Sequence, residues 1–397
     1  MRKTFDAAQS VGIAVVLFKD DFRAQGRRSA ALARYAEFFF IIVADVRNGF
    51  DEYALFHTVI ISLSRVVVKR LFIKKNIKHN AKILVKTCIL YYNIKWRDME
   101  RYIMKLTEIF QRNKYSLSFE VFPPKTDDSY DSVKTATEEI AKLSPAFMSV
   151  TYGAGGGTSK YTLDIAKNIR EEFGVPSLAH LTCVSSTKET VAARIADFKR
   201  AGIENVMALR GDIPKEMQGE DRSGWAYRHA VDLIAELKES GADFCIGGAC
   251  YPEVHPESVS QADDILHLKE KVDAGCDFLT TQMFFDNNLL YNFLYKIRQA
   301  GITVPVVAGI MPITNAKQVE RAIHLSGSFM PQRFKSLVDK FGGDSAAMKQ
   351  AGIAYATDQI IDLFANGVTN VHVDSMNKPD VAAAIQNNLS DIIGKNA

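Results

Sequence analysis

From about residue 104 onward the chain alternates between two textures. Short runs rich in β-branched, aromatic and aliphatic residues recur at Leu117–Phe122, Phe147–Tyr152, Ser177–Val184, Asn205–Gly211, Phe244–Tyr251, Phe278–Phe285, Val304–Met311 and Val368–Asp374. Between them lie stretches with apolar residues at helical spacing. In Thr187–Ala201 these are Val191, Ile195 and Phe198, and in Ala226–Ser240 they are Val231, Ile234 and Leu237. A last helix is predicted over Asp380–Ile393. The runs are mostly about thirty residues apart, the size of one βα unit. Their nearly continuous apolar character suits parallel strands covered on both faces. Eight such units predict an α/β protein of the (β/α)8 TIM-barrel type. A doubly wound open sheet would place a Gly-rich dinucleotide loop after its first strand, and here Phe122-Pro123-Pro124 stands there instead. The Gly-rich stretch 153–157 follows the second run, does not match that fingerprint, and is a weak phosphate-loop signal.

The first hundred residues lack this rhythm. Two apolar runs, Phe38–Ala44 and Ala54–Leu63, fall short of the ~17–25 residues that span a bilayer, so no membrane span is expected. The basic stretch from Arg65 to Lys86 suits a membrane-surface or nucleic-acid-binding arm. Charge marks a boundary: residues 1–103 carry 19 Lys and Arg against 9 Asp and Glu, the remainder 30 against 37. The boundary falls just before Met104-Lys105-Leu106-Thr107, which reads as a natural start. Residues 1–103 are therefore read as a basic N-terminal extension, spurious or poorly ordered, without assigned function, and residues 104–397 as the catalytic barrel. A genuine amphipathic arm is the alternative. Five cysteines without CxxC or metal-ligand spacing, and no secretory signal, read as reduced thiols of a cytoplasmic protein.

The chemistry shows where polar residues interrupt the apolar runs. Burying an unpaired charge is expensive, so ionisable groups inside a covered strand call for a reason. Glu120 lies in the first run, Thr151 and Tyr152 end the second, and His180 is in the third. Arg210-Gly211-Asp212 closes the fourth, Tyr251 to His255 follow the fifth, and Gln282 sits in the sixth. Singly, a His or Gln here is an ordinary core residue, and Asp212 before Pro214 is a helix cap. Together they feed one mouth of a barrel, where that fold places its active site. No HExxH, Cys/His cluster or nucleophile elbow is present, so no metal is expected. What remains is acid–base carboxylates, hydrogen-bond donors and aromatic rings around a mouth wide enough for an organic cofactor.

These residues fall in blocks. Phe119-Glu120-Val121-Phe122-Pro123-Pro124-Lys125, Ser149-Val150-Thr151-Tyr152-Gly153-Ala154 and His180-Leu181-Thr182-Cys183 come first. Leu209-Arg210-Gly211-Asp212-Ile213-Pro214, Tyr251-Pro252-Glu253-Val254-His255-Pro256, Lys269 to Gly275, Thr281 to Asp286 and Gly309 to Pro312 follow in order. In sequence and spacing, from about Leu106 to Gly394, they resemble the methylenetetrahydrofolate reductase family. The resemblance implies FAD, reduced by NADH or NADPH, and transfer of the hydride to 5,10-methylenetetrahydrofolate in a ping-pong sequence. The product is 5-methyltetrahydrofolate, the methyl source for methionine synthesis. It also implies a homo-oligomer and no nucleic-acid partner.

Residue by residue, the resemblance makes Glu120 the general acid, protonated near neutrality within an apolar surround, and Asp212 an ionised carboxylate facing the pterin. Asp212, Gln282, Gln318 and Lys378 map to folate contacts, with Lys378 standing where well-known bacterial members have Arg. Cofactor contacts map to Thr151, Tyr152, Ala154, His180, Arg210, Gly211, Asp212, His229, Ala230, Tyr251, His255, Asp264, His267 and Lys271. Thr151 and Gln282 are nicotinamide contacts on the same matching, and Arg222 and Arg228 are further candidates for the FAD phosphates. His229, His267 and Glu270 depart from the best-known bacterial pattern, and Glu270 is not carried over. No C-terminal regulatory domain is expected. Two alternatives stay open: a barrel of other chemistry, such as an aldolase or a flavin-linked amine dehydrogenase, and an inactive flavin- or folate-binding barrel.

Overall fold

The computed structural model describes residues 104–394, apart from 153–158, 214–216, 220 and 223. The extension 1–103, Ala154 and Pro214 thus lie outside the described residues. Each of the eight apolar runs becomes a strand: β1 (Ser116–Val121), β2 (Met148–Val150), β3 (Ser177–Thr182), β4 (Asn205–Leu209), β5 (Cys245–Cys250), β6 (Phe278–Thr281), β7 (Val306–Ile310) and β8 (Asn370–Asp374). They form a closed parallel barrel in sequence order. Pairing of β1 with β8, Ser118 opposite His372 and Glu120 opposite Asp374, completes the ring. The open sheet is excluded.

A helix follows or precedes every strand: α1 (Leu106–Arg112), α2 (Tyr130–Ala141), α3 (Ser159–Phe173), α4 (Lys188–Ala201), α5 (Ala230–Glu239), α6 (Gln261–Asp273) and α7 (Asn287–Gln299). Three helices, α8 (Lys317–Ser326), α9 (Gln332–Phe341) and α10 (Ser345–Ala365), fill the longer crossover from β7 to β8. After β8 come α11 (Pro379–Asn388) and α12 (Ser390–Ile393). Cap chemistry sets several starts. The Thr187 hydroxyl accepts from the Thr190 amide at α4, and Asp344 accepts from the Ala346 and Ala347 amides at α10. Helix α5 begins later than its apolar period suggests. The Asp232 carboxylate takes the amides of Arg228 and His229, which holds that segment as a cap. The last predicted helix is broken at Leu389 into α11 and α12.

Side chains alternate across the wall. Leu117, Phe119, Val121, Met148, Val150, Val206, Ile246, Leu279, Val371 and Val373 face outward and pack with the helices into the main core. The inward set is layered. Helix α1 lies under the N-terminal ends of the strands, where Leu106, Ile109 and Phe110 pack on Phe147, Leu178, Met207, Cys245, Phe278 and Val307. The Phe110 ring meets Phe147 and Phe278 edge-on, and the Leu106 amide donates to Asn205 Oδ1 at 2.9 Å. At seven residues α1 is too short for its period to show in the sequence. Above this apolar floor the β1, β2 and β8 side of the interior turns polar, with Ser118, Ser149 and His372 all buried. The polar side chains follow the strands upward to the mouth.

Candidate active site

Glu120 sits on the inner wall of β1 at the top of that polar column. Its Oε2 accepts a hydrogen bond from Ser149 Oγ at 3.1 Å, with His180 Nε2 3.5 Å away and His372 Nε2 3.8 Å away. Burial works to raise its pKa. The nearby His372 and His180 imidazoles and the Ser149 hydroxyl outweigh it and hold the carboxyl below its ordinary value. This corrects the expected apolar surround: Phe119 and Val121 point outward into the helix layer, because neighbours of an inward strand residue face the other side. His180 is pushed below its usual value, chiefly by burial. The backbone around Glu120 is pinned from β8. Ser375 Oγ donates to Glu120 O at 2.6 Å, and Asn377 pairs with both backbone groups of Phe122 at 2.8 and 2.9 Å. Met376 and Asn377 take left-handed φ values of 51° and 53° in making that turn, a conformation non-glycine residues hold only when their surroundings enforce it.

The β4–β5 side supplies cations and rings. Arg210 grips Glu257 through both guanidinium nitrogens, at 2.6 and 2.9 Å, which raises its pKa further. Arg222 approaches the same carboxylate at 3.8 Å. Gly211 has φ +89°, and a Cβ there would lie 2.9 Å from Val184 Cγ1, so this crossing of the mouth requires glycine. Asp212 beside it is exposed. Tyr251 meets His255 edge-on at 4.7 Å, and burial pushes its phenol up to about 12. His255 Nδ1 accepts from the Glu257 amide, so its Nε2 carries the proton and can donate. Asp264 braces the loop, accepting from the His255 amide and the Ser258 hydroxyl.

On the outer rim, Ala230 is the first residue of α5, and the His229 ring lies parallel to His267 at 6.4 Å. His267 also lies 3.1 Å from the Glu270 carboxylate. Lys271 turns inward instead. Its ammonium donates to the Ala249 carbonyl, and burial pushes its pKa down. Thr151 continues the β1–β2 ladder through its amide to Val121 O, and Tyr152 packs its ring against the main core.

The β6–β8 side gathers the remaining residues. Gln282 folds back, its Oε1 accepting from the Met283 amide. Gln318 and Lys378, 60 positions apart, converge on one residue: Thr314 donates amide and hydroxyl to Gln318 Oε1 and accepts from Lys378 Nζ at 2.9 Å. The described structure thus unites Glu120 with His180, Arg210 with Tyr251 and His255, and Gln318 with Lys378. It leaves His229 and His267 apart on the rim. Ser149, Thr314 and His372 are additions to the sequence reading. The signal for His372 was present in Val371-His372-Val373, an imidazole inside a covered run, the same signal that singled out His180. No cluster of metal ligands occurs among the described residues.

Barrel and mouth together define an enzyme of the (β/α)8 class, with acid–base groups on β1 and β3 and a cation-rich flank on β4 and β5. The chain belongs to the methylenetetrahydrofolate reductase family, whose model matches residues 105–390, and it is an oxidoreductase. The 5,10-methylenetetrahydrofolate reductase of Escherichia coli is 35% identical over 278 residues, covering 70% of this chain and 92% of that protein. Methylenetetrahydrofolate reductase (NADH) 1 of Arabidopsis thaliana is 32% identical over 295 residues, 72% of this chain but 50% of the plant protein. A solved structure from Clostridium thermocellum, described as binding two copies of 5-methyl-5,6,7,8-tetrahydrofolic acid, covers 73% of this chain with TM-score 0.50. At 15% identity it shows the shared fold alone.

Proposed function

We propose that the mouth binds FAD and that the enzyme reduces 5,10-methylenetetrahydrofolate to 5-methyltetrahydrofolate with NADH or NADPH as electron source. The observation that carries this reading is Glu120. Its carboxyl lies among buried hydrogen-bonding groups yet keeps 21% of its side chain exposed at the mouth, where it can meet a substrate nitrogen. The NADH in the plant relative's name favours NADH as the donor. The donor set suits an anionic, aromatic cofactor: Arg210, Tyr251 and His255 on the wall, and Arg222, Arg228, His229 and His267 on the rim. Bound FAD would supply the two-electron carrier between nicotinamide and folate.

The chain's own residues do the rest. Glu120 delivers a proton to a folate nitrogen, opening the methylene bridge to an electrophilic iminium. Asp212, at the edge of the mouth, holds pterin N–H groups and stabilises the positive charge that develops. Gln282 orients the pterin edge, and Lys378 with Gln318 meets the folate's acidic tail as a point charge without a guanidinium fork. Nicotinamide, against Thr151 and Gln282, and folate take the same place in turn, a ping-pong order. On this reading the enzyme is a cytoplasmic homo-oligomer that feeds methionine synthesis, and residues 1–103 lie outside its catalytic unit.

The test is a two-stage spectroscopic assay. The purified protein is expected to carry a flavin spectrum that NADH bleaches and methylenetetrahydrofolate restores. Absence of flavin sinks the proposal, and flavin that NADH bleaches but folate does not restore leaves an inactive binder.

A further inference from the structure

Beneath Glu120 a file of side chains runs down the inner wall. Ser149 Oγ lies 3.1 Å from Glu120 Oε2 and 2.8 Å from His372 Nε2. Ser118 Oγ lies 2.7 Å from His372 Nδ1 and donates to the Val371 carbonyl at 2.9 Å. Ser118 and Ser149 are 0% exposed and His372 5%. The imidazole stacks on Phe147, centroids 5.0 Å apart and planes within 12°, so the apolar floor fixes the ring and closes the lower end.

A hydroxyl has one proton to give, and this decides the polarity of the file. The Val371 carbonyl can only accept, so Ser118 spends its proton there and must accept from His372 Nδ1–H. The Nδ1 proton is therefore fixed, and only Nε2 can change. Two arrangements then satisfy every donor. In one, the Glu120 carboxyl donates to Ser149, which donates to His372 Nε2. In the other, Nε2–H donates to Ser149, which donates to the Glu120 carboxylate. They differ by two coupled hops and hold the same number of protons.

We propose that Glu120 and His372 share one proton through Ser149, making His372 a positioning residue that keeps the general acid loaded over the neutral pH range. This deepens the functional reading above and rests on it. It also answers a difficulty of that reading, since a carboxyl held below its ordinary value is by itself a poorly loaded acid. Two sites that hold one proton between them keep it available to the carboxyl, and the acid is spent only when that shared proton leaves. When Glu120 passes its proton to the folate nitrogen, the pair is left as carboxylate and neutral imidazole. It is recharged by one proton from solvent through the mouth, because the lower end is sealed. The titratable groups facing the file are Glu120 from β1, His180 from β3 and, on β8, Asp374, whose Oδ1 takes the Met376 amide. On the neighbouring strands Ser149 of β2 and Gly309 of β7 add no charge at these levels.

The test compares wild type, S149A, S149T and H372Q in the two half-reactions between pH 6 and 8.5. The expected result is flavin reduction by NADH within about twofold of wild type throughout. Reoxidation by methylenetetrahydrofolate should match wild type at pH 6 yet be about tenfold slower at pH 8 in S149A and H372Q, a limb displaced by about one unit. S149T, which keeps the hydroxyl, should restore the wild-type profile. Unchanged profiles in S149A and H372Q overturn the proposal, and so does an equal loss in both half-reactions at every pH, which would mark a packing role. If the wild type shows no folate chemistry, the functional reading fails separately. The shared proton is then read from the infrared band of the Glu120 carboxylic acid, identified by its loss in E120Q. That band should persist to higher pH in wild type than in S149A, and identical midpoints overturn the proposal.

Discussion

At Glu120 and His180 the barrel holds a half-buried and a buried ionisable group 3.5 Å apart, and both are displaced in the acid-labile direction. His180 is held down chiefly by burial, so the folded chain binds fewer protons than the unfolded one once the pH falls below about 6.5. Stability is therefore lost from there downward, through the folded value. Glu120, also held low, adds stability that is present above the unfolded carboxyl value of about 4.3 and is lost as pH falls through its folded value. Urea midpoints should fall between pH 7.5 and 5.5, and the fall should be shallower in H180N. A slope equal to wild type would remove His180 from this account. For chemistry, E120Q is expected to lose about 10²–10⁴-fold in folate reoxidation while NADH still reduces its flavin, as stopped-flow absorbance would show. Glu120 and His180 were legible in the sequence because each interrupts a covered apolar run. Ser149 was not, since a small hydroxyl can be buried almost anywhere that offers one partner. The convergence of Gln318 and Lys378 on Thr314 depends on how two loops approach, which no local pattern carries.

At the scale of elements, the eight runs gave eight strands, and most of their errors lie at one end. Seven of the eight overshoot at the C-terminal end, as with Tyr152, Val184, Gly211 and Phe285, because residues there leave the ladder to shape the mouth while keeping strand-like composition; the eighth ends with its strand at Asp374. Helix α10 shows how a distant element reaches the site. A Cβ on its Gly352 would stand 1.8 Å from the Ile313 carbonyl, immediately before Thr314. Backbone cannot yield as a side chain can, so G352A should cost about 1–3 kcal/mol through overpacking. It should also push the Thr314 segment away from Lys378 and Gln318. The expected signature is a lower melting temperature with a folate KM raised several-fold and an NADH KM unchanged. Equal changes in both KM values would show that the displacement does not reach Thr314.

For the whole molecule, the floor predicts where the folded unit begins. A chain beginning at Met104 keeps α1 and is expected to bind flavin and unfold cooperatively without residues 1–103. A chain beginning at Lys114 loses Leu106, Ile109 and Phe110 from the floor. It should unfold at clearly lower denaturant, since removal of the Phe110 ring alone is worth about 3–5 kcal/mol. If the two chains prove equally stable, α1 does not close the barrel in solution. The barrel itself could be read from spacing, because eight βα units repeat the same signal. The boundary expected near Met104 rests only on a change of charge and texture.

The pairing of β1 with β8 also has a consequence in time. Ser118 and Val371 are 253 positions apart, so the contact that places His372 beneath Glu120 joins nearly the two ends of the barrel. Such a closure carries a large chain-entropy cost and comes late in folding. During synthesis, strands β1 to β7 can assemble on one another as they emerge. Yet no nascent chain shorter than about residue 378 holds both the acid and the cation that would meet a folate tail. Competence for chemistry thus arrives with the last strand, and a ribosome stalled before it would display a sheet with two open edges and an unfinished proton store.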